Sequence, residues 1–566
     1  MYILGLNAAF HDSSAALLRD GIPIAAAEEE RFTRIKHGKR PMPLLSYQLP
    51  FHAISYCLEE AGISLRDVDR IAYSYDPDVV DPVSGAQTKQ WASGFGRWGE
   101  TFIAGIRAAP RLLRDDVPHH LQSLLDGIES YADVPPFEFV EHHLAHAASA
   151  YYVSGFDESA ILTLDGRGER VTTLAALGRG PEIRRVAEVE FPNSLGLLYE
   201  EVTSYLGFLR SSDEYKVMAL ASFGSDRCVD EFRKLVRLDG AGHYTIEPLM
   251  LEQRFGPRRR RGDRLSQHHY DLAFALQQTL EESVLELAEW LHHQTGSRNL
   301  CMAGGVALNC VMNARVRDDG PFDRVFVQPA AGDAGTALGA AYVVDVQQRG
   351  SAIPFTMSDA YLGPEYSEHA IRRALDRAKV PYSRPHDIAA ATAELLTKDL
   401  IMGWFQGRME FGPRALGSRS IVASPSDPNM KDRLNNIKDR EEFRPVAPAV
   451  LAERAAEYFS PPVADPFMLF VSEVVPERAH EIPAVRHVDG TARIQTVSRE
   501  HAPGFHALLS AFAERSGVPV VVNTSFNSLG RPIVNTPEDA LECFFTTPLD
   551  ALAIGPYLLR KPPAPG

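Results

Sequence analysis

The sequence is poor in cysteine and in positive charge, and each shortage excludes some kinds of protein and binding site. Only five cysteines are scattered over 566 residues. They form no C-x-x-C pair, so neither a disulfide framework nor a thiolate zinc site is expected, and a reducing cytoplasm fits this usage. The formal net charge of -16 argues against nonspecific binding to nucleic acid or to an anionic membrane.

Long apolar runs are also missing. Residues 2–6 are apolar, but no basic region precedes them, and the run is far shorter than the roughly 20 residues that span a bilayer. We therefore expect neither a signal peptide nor a transmembrane helix. The one basic run, 258–261, lies among Gly and Pro residues and is expected to be a solvated loop. The length predicts at least two large domains.

An Ala-rich stretch with two histidines is the most informative part of the chain. Strong helix propensity over 141–152 predicts a helix that places His142 and His146 on one face, one turn apart. Two neutral imidazoles so placed can share a metal ion, although such a pair is also typical of surface or capping histidines. The strand predicted at 159–164 ends at Asp165 beside a glycine turn, which favours a metal or phosphate site.

One pattern of strand, polar turn and strand occurs twice, at 2–19 and at 160–177. This repetition predicts an internally duplicated α/β fold with two acidic turns on either side of one cleft. Turn amides and carboxylates suit nucleotide phosphates and a cation in such a cleft.

Further glycine-rich turns follow predicted strands. Gly304 and Gly305 precede a helix near Asn309, a pattern that can bring backbone close to a nucleotide. Asp333 lies between glycines after the next predicted strand and before a helix. The region 76–135 is irregular and predicts an insertion with some helix.

Beyond a Gly- and Pro-rich boundary at 347–366, arginines lie in glycine-rich loops such as 406–420. Guanidinium groups beside backbone amides suit bidentate capture of phosphate oxygens. The alternative is a set of surface ion pairs, each of which would contribute little. Their placement in Gly/Pro loops rather than on polar helix faces favours ligand binding.

Taken together, a series of motifs resembles the O-carbamoyltransferases of antibiotic and nodulation-factor biosynthesis, the group that contains the tobramycin and cephamycin enzymes. The resemblance covers nearly the whole chain, and many motifs in the right order are more specific than any one. They are Asn7 with 11–15, 27–32, 142–147, 165–166, 214–218, 304–309, 412–417 and 523–527.

This resemblance implies an α/β protein with two domains. Residues 1–350 would form a duplicated actin/Hsp70/sugar-kinase-like domain, similar to the threonylcarbamoyl-transfer enzyme of tRNA modification. Residues 351–363 would be a linker, and 364–566 a YrdC-like domain. In the second domain, carbamoyl phosphate and ATP would form carbamoyl-adenylate. In the first, the carbamoyl group would pass to a hydroxyl of a natural product such as a glycoside or macrolide antibiotic.

Carried over by position, the resemblance assigns roles to individual residues. The metal ligands would be His142, His146, Asp165 and Asp333, with iron(II) expected and zinc(II) or manganese(II) also suited to two nitrogen and two oxygen ligands. His11 would be the general base for the acceptor hydroxyl. The nucleotide, with Mg²⁺ accompanying ATP, would contact Lys216, Gly304, Gly305, Asn309, Arg414, Arg419, Ser525 and Asn527. Carbamoyl phosphate would contact Lys438, Arg444, Arg493 and Asn523.

Three other functions stay open at this point. A tRNA threonylcarbamoyl-type transferase would share the histidine pair, but the acidic balance counts against tRNA binding. A sugar-kinase-like phosphotransferase or an Hsp70-like nucleotide-regulated binding module would need neither the pair nor a second phosphate site. The expected partners are carbamoyl phosphate, ATP and a small hydroxyl-bearing acceptor. Neither nucleic acid nor a membrane is expected, and the oligomeric state is open, with a homodimer as one option.

Overall fold

A computed structural model describes residues 1–38, 49–80, 99–115, 117, 121 and 134–561. The chain forms two compact units, Met1–Met357 and Ser358–Gly566. The division falls within the segment 351–363, for which the resemblance implies a linker. Both units mix helices with sheets, which confirms the α/β class.

The first unit contains two five-stranded sheets and their covering helices. Its strands are β1 (Tyr2–Asn7), β2 (Ser14–Arg19), β3 (Ile22–Glu28), β4 (Arg70–Tyr73), β5 (Phe137–Phe139), β6 (Glu158–Leu164), β7 (Val171–Arg179), β8 (Glu182–Glu190), β9 (Val236–Leu238), β10 (Tyr244–Ile246), β11 (Asn299–Ala303) and β12 (Arg324–Val327). Its α-helices are α1 (Glu30–Thr33), α2 (Phe51–Ala61), α3 (Gly99–Arg107), α4 (Ala109–Asp115), α5 (His142–Tyr151), α6 (Leu195–Tyr205), α7 (Glu214–Ala221), α8 (Val229–Arg233), α9 (Leu251–Phe255), α10 (Gln267–Thr295), α11 (Cys310–Asp319) and α12 (Ala334–Arg349).

The two sheets repeat one topology. The first has the order β3-β2-β1-β4-β5 and the second β8-β7-β6-β11-β12. In each, three antiparallel strands in chain order are followed by two strands that extend the sheet in parallel with the first. The repeat confirms the predicted duplication. The polar turns after β1 and β6 therefore occupy equivalent positions in the two halves.

Each half ends in a helix that follows its last parallel strand, and these two helices, α5 and α12, pack against each other. Each also crosses to the other half, since α12 lies on β1, β2 and β4, whereas α5 lies on β6, β7 and β11. Residues 334–346 of α12 are buried on every side, as expected for a helix at an internal interface. A Cβ at Gly339 would stand 1.8 Å from the Ala145 carbonyl oxygen, so the two backbones nearly touch.

Part of the region 76–135 lies in the described residues. The helices α3 and α4 confirm the prediction that this segment contains some helix. Phe102 and Leu113 are buried in the core of the first half. Residues 81–98, 116, 118–120 and 122–133 lie outside the described part of the chain.

The second unit is built on a seven-stranded sheet of order β19-β15-β20-β14-β13-β21-β22, with a separate sheet β16-β17-β18. Its strands are β13 (Met402–Phe405), β14 (Arg419–Ala423), β15 (Ala447–Leu451), β16 (Phe459–Ser460), β17 (Val471–Val474), β18 (Thr491–Arg493), β19 (Gln495–Val497), β20 (Val520–Ser525), β21 (Ala551–Ile554) and β22 (Tyr557–Arg560). Its helices are α13 (Glu368–Ala378), α14 (Ile388–Leu396), α15 (Met430–Ile437), α16 (Pro503–Ser516) and α17 (Pro537–Thr546).

Two expected absences concern disulfides and membrane spans. None of the five cysteines, all of which lie in the described residues, forms a disulfide bond, as their scattered positions predict. Within the described ranges, every helix is too short or too polar to cross a bilayer.

The contact at Gly339 gives a test of the helix packing. Gly339→Ala is expected to lower the free energy of unfolding of the first unit by about 1–3 kcal/mol, because the added methyl overlaps the Ala145 carbonyl. Urea unfolding followed by circular dichroism measures the change. The control is Gly504→Ala in α16, where a Cβ meets no atom within 4 Å and where Ala is expected to stabilise by up to ~1 kcal/mol. Wild-type stability of the Gly339→Ala protein would contradict the close packing.

Candidate metal centre

Four side chains that are far apart in sequence converge in the first unit. The Nε2 atom of His142 lies 3.6 Å from Asp165 Oδ2 and 3.6 Å from Asp333 Oδ1. His146 Nε2 lies 3.7 Å from the same Asp333 oxygen and 3.2 Å from His142 Nε2. All four residues are buried, and their ligand-type atoms lie within 4.8 Å of one another.

The duplicated fold explains this convergence. His142 and His146 lie on the first two turns of α5, while Asp333 directly precedes α12. Since the two helices pack side by side, their N-terminal ends bring imidazoles and carboxylate together. Asp165 follows β6 and reaches the group from the polar turn of the second sheet. The predicted helix over the histidine pair and the strand-end position of Asp165 are both confirmed.

The donor set and its spacing fit a metal ion. Four ligands about 2.1 Å from a tetrahedral ion would be separated from each other by roughly 3.4 Å, close to the four distances of 3.2–3.7 Å. Two buried imidazole nitrogens 3.2 Å apart also need a shared proton or a cation between them. Two nitrogen and two oxygen donors suit iron(II), zinc(II) or manganese(II) without selecting among them.

A layer of hydrogen bonds orients His142. His142 Nδ1 lies 3.2 Å from the Ser74 carbonyl oxygen, an acceptor that favours a proton on Nδ1, so in the neutral ring the Nε2 lone pair faces the group. The Ser74 hydroxyl donates to Asn7 Oδ1 at 3.1 Å, and Thr336 Oγ1 lies 2.8 Å from that hydroxyl. The Asn7 amide then donates to the carbonyl of His11 at 2.8 Å. The loop after β1 is thereby tied to the four-residue group.

The carboxylates are held by main-chain N–H groups. Gly305 N donates to Asp165 Oδ1 at 2.7 Å, and His11 N donates to Asp333 Oδ2 at 3.0 Å. Each aspartate therefore turns its second oxygen toward the histidines. Glu169 accepts from the N–H of His142 at 2.9 Å and so caps the start of α5. Burial raises the pKa of Glu169 to about 7.

Electrostatic interactions within the group shift the pKa values of His142 and Asp333. Burial by itself lowers the pKa of His142, but hydrogen bonding and charge interaction with Asp165 and Asp333 outweigh it and raise that pKa well above the usual range. Burial favours a protonated Asp333, yet the two histidines hold its pKa well below the usual range. The group therefore favours positive charge at its centre, which bound protons or a metal cation can supply.

The sequence-predicted base His11 lies beside this group, in the loop after β1. Its ring stacks edge-to-face on His37 with the centroids 4.8 Å apart. Within the described residues no hydrogen bond orients the His11 ring. His37 itself is paired with Asp12, and both residues were missed by the sequence analysis as candidate site residues.

Of the residues predicted to contact nucleotide in this unit, Gly304 and Gly305 lie next to the end of β6 and Asp165. Gly304 has φ 94° and abuts the end of β6, since a Cβ there would stand 2.1 Å from the Leu164 carbonyl oxygen. Asn309 caps α11 through the Met312 N–H and exchanges amide hydrogen bonds with Gln277. Lys216 pairs with Asp213 at 3.1 Å. Of these residues, Gly305 contacts the four-residue group directly, through its N–H bond to Asp165 Oδ1.

In the second unit the structure brings together Lys438, Ser525 and Asn527. The Lys438 ammonium is nearly buried and lies 3.0 Å from Ser525 Oγ and 2.6 Å from Asn527 Oδ1. It also donates to the Ser525 carbonyl oxygen. A cation held by three oxygens at the end of β20 is a fixed charge rather than a mobile surface lysine.

Asn523 lies two residues earlier on β20 and offers an unused acceptor. Its Nδ2 donates to Gln495 Oε1 at 2.7 Å and to the Ala415 carbonyl at 3.1 Å. Its Oδ1 is buried and has no hydrogen-bond partner in the described part of the chain. Leaving a buried acceptor unpaired costs about 1–3 kcal/mol, so this oxygen suits a ligand N–H.

The glycine- and arginine-rich loop is held by one buried carboxylate. Glu410 Oε1 accepts from the N–H groups of Leu416, Ser418 and Arg419 at 2.7–3.2 Å. Arg419 is fully buried, and its guanidinium donates to main-chain carbonyls at about 3.0 Å and stacks on a phenylalanine ring. In this position Arg419 supports the loop and does not present its terminal N–H groups to a ligand. Arg414 lies half-buried in the same loop.

Two further arginines predicted to hold carbamoyl phosphate lie near the ends of elements. Arg444 follows α15 and lies 3.8 Å from Glu441. Arg493 ends β18, and its buried Nε has no hydrogen-bond partner among the residues that the structure describes. No hydrogen bond in the described residues joins Asn523 to the Lys438 group, although both lie around the end of β20.

Sequence reasoning missed the residues that orient the four-residue group. Ser74 and Thr336 are small polar residues without a motif, although each lies close to the end of a strand or the start of a helix. Glu169 is part of the predicted turn but has no assigned role. Their functions depend on contacts across 27 to 262 positions in the chain, which no local pattern encodes.

Comparison with known proteins gives matches over most of the chain. The family model for the carbamoyltransferase N-terminus matches residues 2–342, and that for the carbamoyltransferase C-terminus matches residues 393–561. An uncharacterised protein of Synechocystis sp. is 40% identical over 623 residues, covering 100% of this chain and 97% of that protein. Nodulation protein NolNO of Sinorhizobium fredii is 41% identical over 579 residues, covering 98% and 80%.

Among solved structures, full-length HypF in its phosphate- and nucleotide-bound form aligns with 62% of this chain and 56% of its own. The identity is 13% and the TM-score 0.34, which is too low to support a conclusion about this chain. The two family models and the long alignments confirm the family that the motifs indicate. The chain belongs to the carbamoyltransferase family.

Proposed function

We propose that the protein is an ATP-dependent O-carbamoyltransferase that carbamoylates a hydroxyl of a small natural product. The observation that carries the proposal is the buried group of His142, His146, Asp165 and Asp333 within a carbamoyltransferase chain. A transfer site needs groups that hold an adenylate phosphate and stabilise the charge on the departing AMP. A cation held by these four side chains suits that task.

In this proposal the second unit makes the activated carbamoyl group. Lys438 presents a fixed positive charge to the phosphate of carbamoyl phosphate. The free Asn523 Oδ1 accepts a hydrogen bond from the carbamoyl amide, and the free Arg493 Nε donates to a phosphate oxygen. Arg444 and Arg414 complete the cationic set for carbamoyl phosphate and ATP with Mg²⁺. We assign no substrate contact to Arg419, because its guanidinium donates to main-chain carbonyl oxygens.

The first unit transfers the carbamoyl group. A bound metal would supply Lewis-acid stabilisation of phosphate charge, with iron(II) as our candidate and zinc(II) or manganese(II) as alternatives. Gly305 and the main chain of His11 hold the two carboxylates so that one oxygen of each faces the histidines. An imidazole in the loop after β1 takes the proton of the acceptor hydroxyl, and the resemblance assigns this role to His11.

Removal of one ligand tests the metal centre. His146→Asn is expected to lower metal affinity by at least about 10- to 100-fold, the size of effect that even supporting residues have. Metal per chain is measured by inductively coupled plasma mass spectrometry after dialysis. His243→Asn replaces a half-exposed histidine and serves as the matched control. Equal metal content in His146→Asn and wild type would contradict the assignment.

Acidification should release the metal. Imidazole binds a metal only when its ligating nitrogen is unprotonated, and the two carboxylates raise the pKa of His142 well above its usual value, so affinity is expected to fall as pH decreases from neutrality. Isothermal titration with zinc(II) between pH 5.5 and 7.5 measures this dependence. An affinity that is independent of pH across this range would argue against histidine ligands.

The first half-reaction has a direct product. Protein incubated with ATP and carbamoyl phosphate is expected to form carbamoyl-adenylate, detectable by mass spectrometry of a rapidly quenched reaction. Pyrophosphate release should require carbamoyl phosphate. Pyrophosphate release at the same rate without it would contradict the proposed chemistry.

Paired variants should separate the two half-reactions. Arg444→Ala is expected to stop adenylate formation yet leave the metal in place, because Arg444 lies in the second unit. His142→Ala should lower bound metal and abolish transfer, while phosphate release from carbamoyl phosphate survives. Loss of both half-reactions in both folded variants would contradict two separate sites.

A further inference from the structure

Asp12, in the loop after β1, forms an ordered acid–base pair with His37, which lies in the turn after α1. Asp12 Oδ1 lies 2.8 Å from Nδ1 of His37, and the opposite ring nitrogen of His37, Nε2, lies 3.3 Å from the hydroxyl of Ser212. Carboxylate, imidazole and hydroxyl thus form a line that runs from the first half of the unit to the second. A base oriented by a carboxylate and facing a hydroxyl is the arrangement that proton abstraction requires.

The pair is held rigidly in place. Asp12 and His37 both adopt left-handed backbone conformations, with φ 45° and 66°, which non-glycine residues rarely occupy without a constraint. Asn7 Nδ2 lies 3.2 Å from the Asp12 carbonyl, and Glu30 Oε2 accepts from His37 N at 2.7 Å. The loop that holds Asp12 is the one whose His11 N–H holds Asp333.

The pair also remains accessible to a ligand. The side chains of His37 and Asp12 are 29% and 33% exposed, whereas His142 and His146 are fully buried. His11 is also partly exposed, but its ring has no orienting hydrogen bond in the described residues. Orientation by Asp12 therefore distinguishes His37 from His11 as a candidate base.

We propose that His37, positioned by Asp12, accepts the proton of the acceptor hydroxyl, with Ser212 marking the place that this hydroxyl takes. The inference rests on the proposed function and assigns the role of general base to His37 instead of His11, whose ring it contacts. The acceptor O–H bond breaks and its proton passes to His37 Nε2. The acceptor oxygen forms a bond with the carbamoyl carbon, and the bond from that carbon to the AMP phosphate oxygen breaks with its electron pair. Carbamate ester and AMP result, and His37 returns the proton to water.

Nearby charges suit this role. Among the described residues, the ionisable groups around His37 are Asp12 and His11 from the loop after β1, Glu30 from α1, and the adjacent Lys36. Burial lowers the pKa of His37, but Asp12 and Glu30 raise it above its usual value in total. Burial also acts to raise the pKa of Asp12, yet His37 brings it down to about 2, so this carboxylate stays ionised. Transfer to an alcohol should therefore increase with pH as His37 loses its proton.

Two acceptor probes separate base catalysis from structural damage. Ethylene glycol must lose a hydroxyl proton, whereas hydroxylamine attacks as a neutral amine. With ATP and carbamoyl phosphate, His37→Gln is expected to lower hydroxyethyl carbamate formation by about 10²- to 10⁴-fold, and ATP-dependent hydroxyurea formation by less than about tenfold. Products are quantified by mass spectrometry, after subtraction of reactions without ATP.

The pH profile provides a second readout. Asp12→Asn should move the acidic limb of alcohol carbamoylation to lower pH, because it removes the charge that raises the pKa of His37. His37→Gln should remove that limb. His243→Gln breaks a similar but half-exposed pair with Asp239, 3.2 Å apart, and should leave the profile unchanged.

The outcomes distinguish this inference from the proposed function. If wild type forms neither product, the proposed function itself is contradicted. If wild type forms both and His37→Gln keeps the wild-type ratio of the two products, only the base assignment fails. A change of that ratio in His11→Gln but not in His37→Gln would return the role to His11. A carbamoyl group covalently bound at Ser212 would also overturn direct transfer to the acceptor.

Discussion

The contact between α5 and α12 is the constraint on which the first unit depends. The absence of a side chain at Gly339 lets the two helices approach until the backbone of one meets the carbonyl of the other. Each helix belongs to one half of a duplicated fold and packs on the sheet of the other half. Because the N-terminal ends of both helices meet, the chain gathers His142, His146 and Asp333 from positions nearly 200 residues apart.

This arrangement has an electrostatic cost that a cation would offset. Burying two carboxylates without partners is strongly unfavourable, since charged groups lose their hydration. Main-chain N–H groups satisfy one oxygen of each aspartate, which leaves the other oxygens facing the two imidazoles. The second unit has the opposite inventory, with a buried ammonium and, at Arg493, a buried guanidinium Nε that has no hydrogen-bond partner among the described residues. One unit is therefore suited to hold a cation, and the other to hold anionic substrates.

The sequence predicted the helices and strands around the site better than the contacts between residues that are distant in the chain. The histidine spacing and the strand-end position of Asp165 are local patterns, and the structure confirms the helix and the strand that they predict. The repeated strand pattern likewise predicted the duplicated sheets. Local pattern alone could not show that Arg419 would turn its guanidinium onto the main chain, because this depends on the fold of a loop around Glu410. The pairing of Asp12 with His37 also escaped prediction, since it joins two residues in unusual backbone conformations.

The most direct test is to locate the metal in a crystal of the protein. Diffraction data collected on both sides of the absorption edge of the bound metal should give one anomalous peak in the first unit. The account predicts this peak among the Nε2 atoms of His142 and His146 and the carboxylates of Asp165 and Asp333. A fully occupied metal elsewhere, with these four side chains still bonded only to each other, would contradict it.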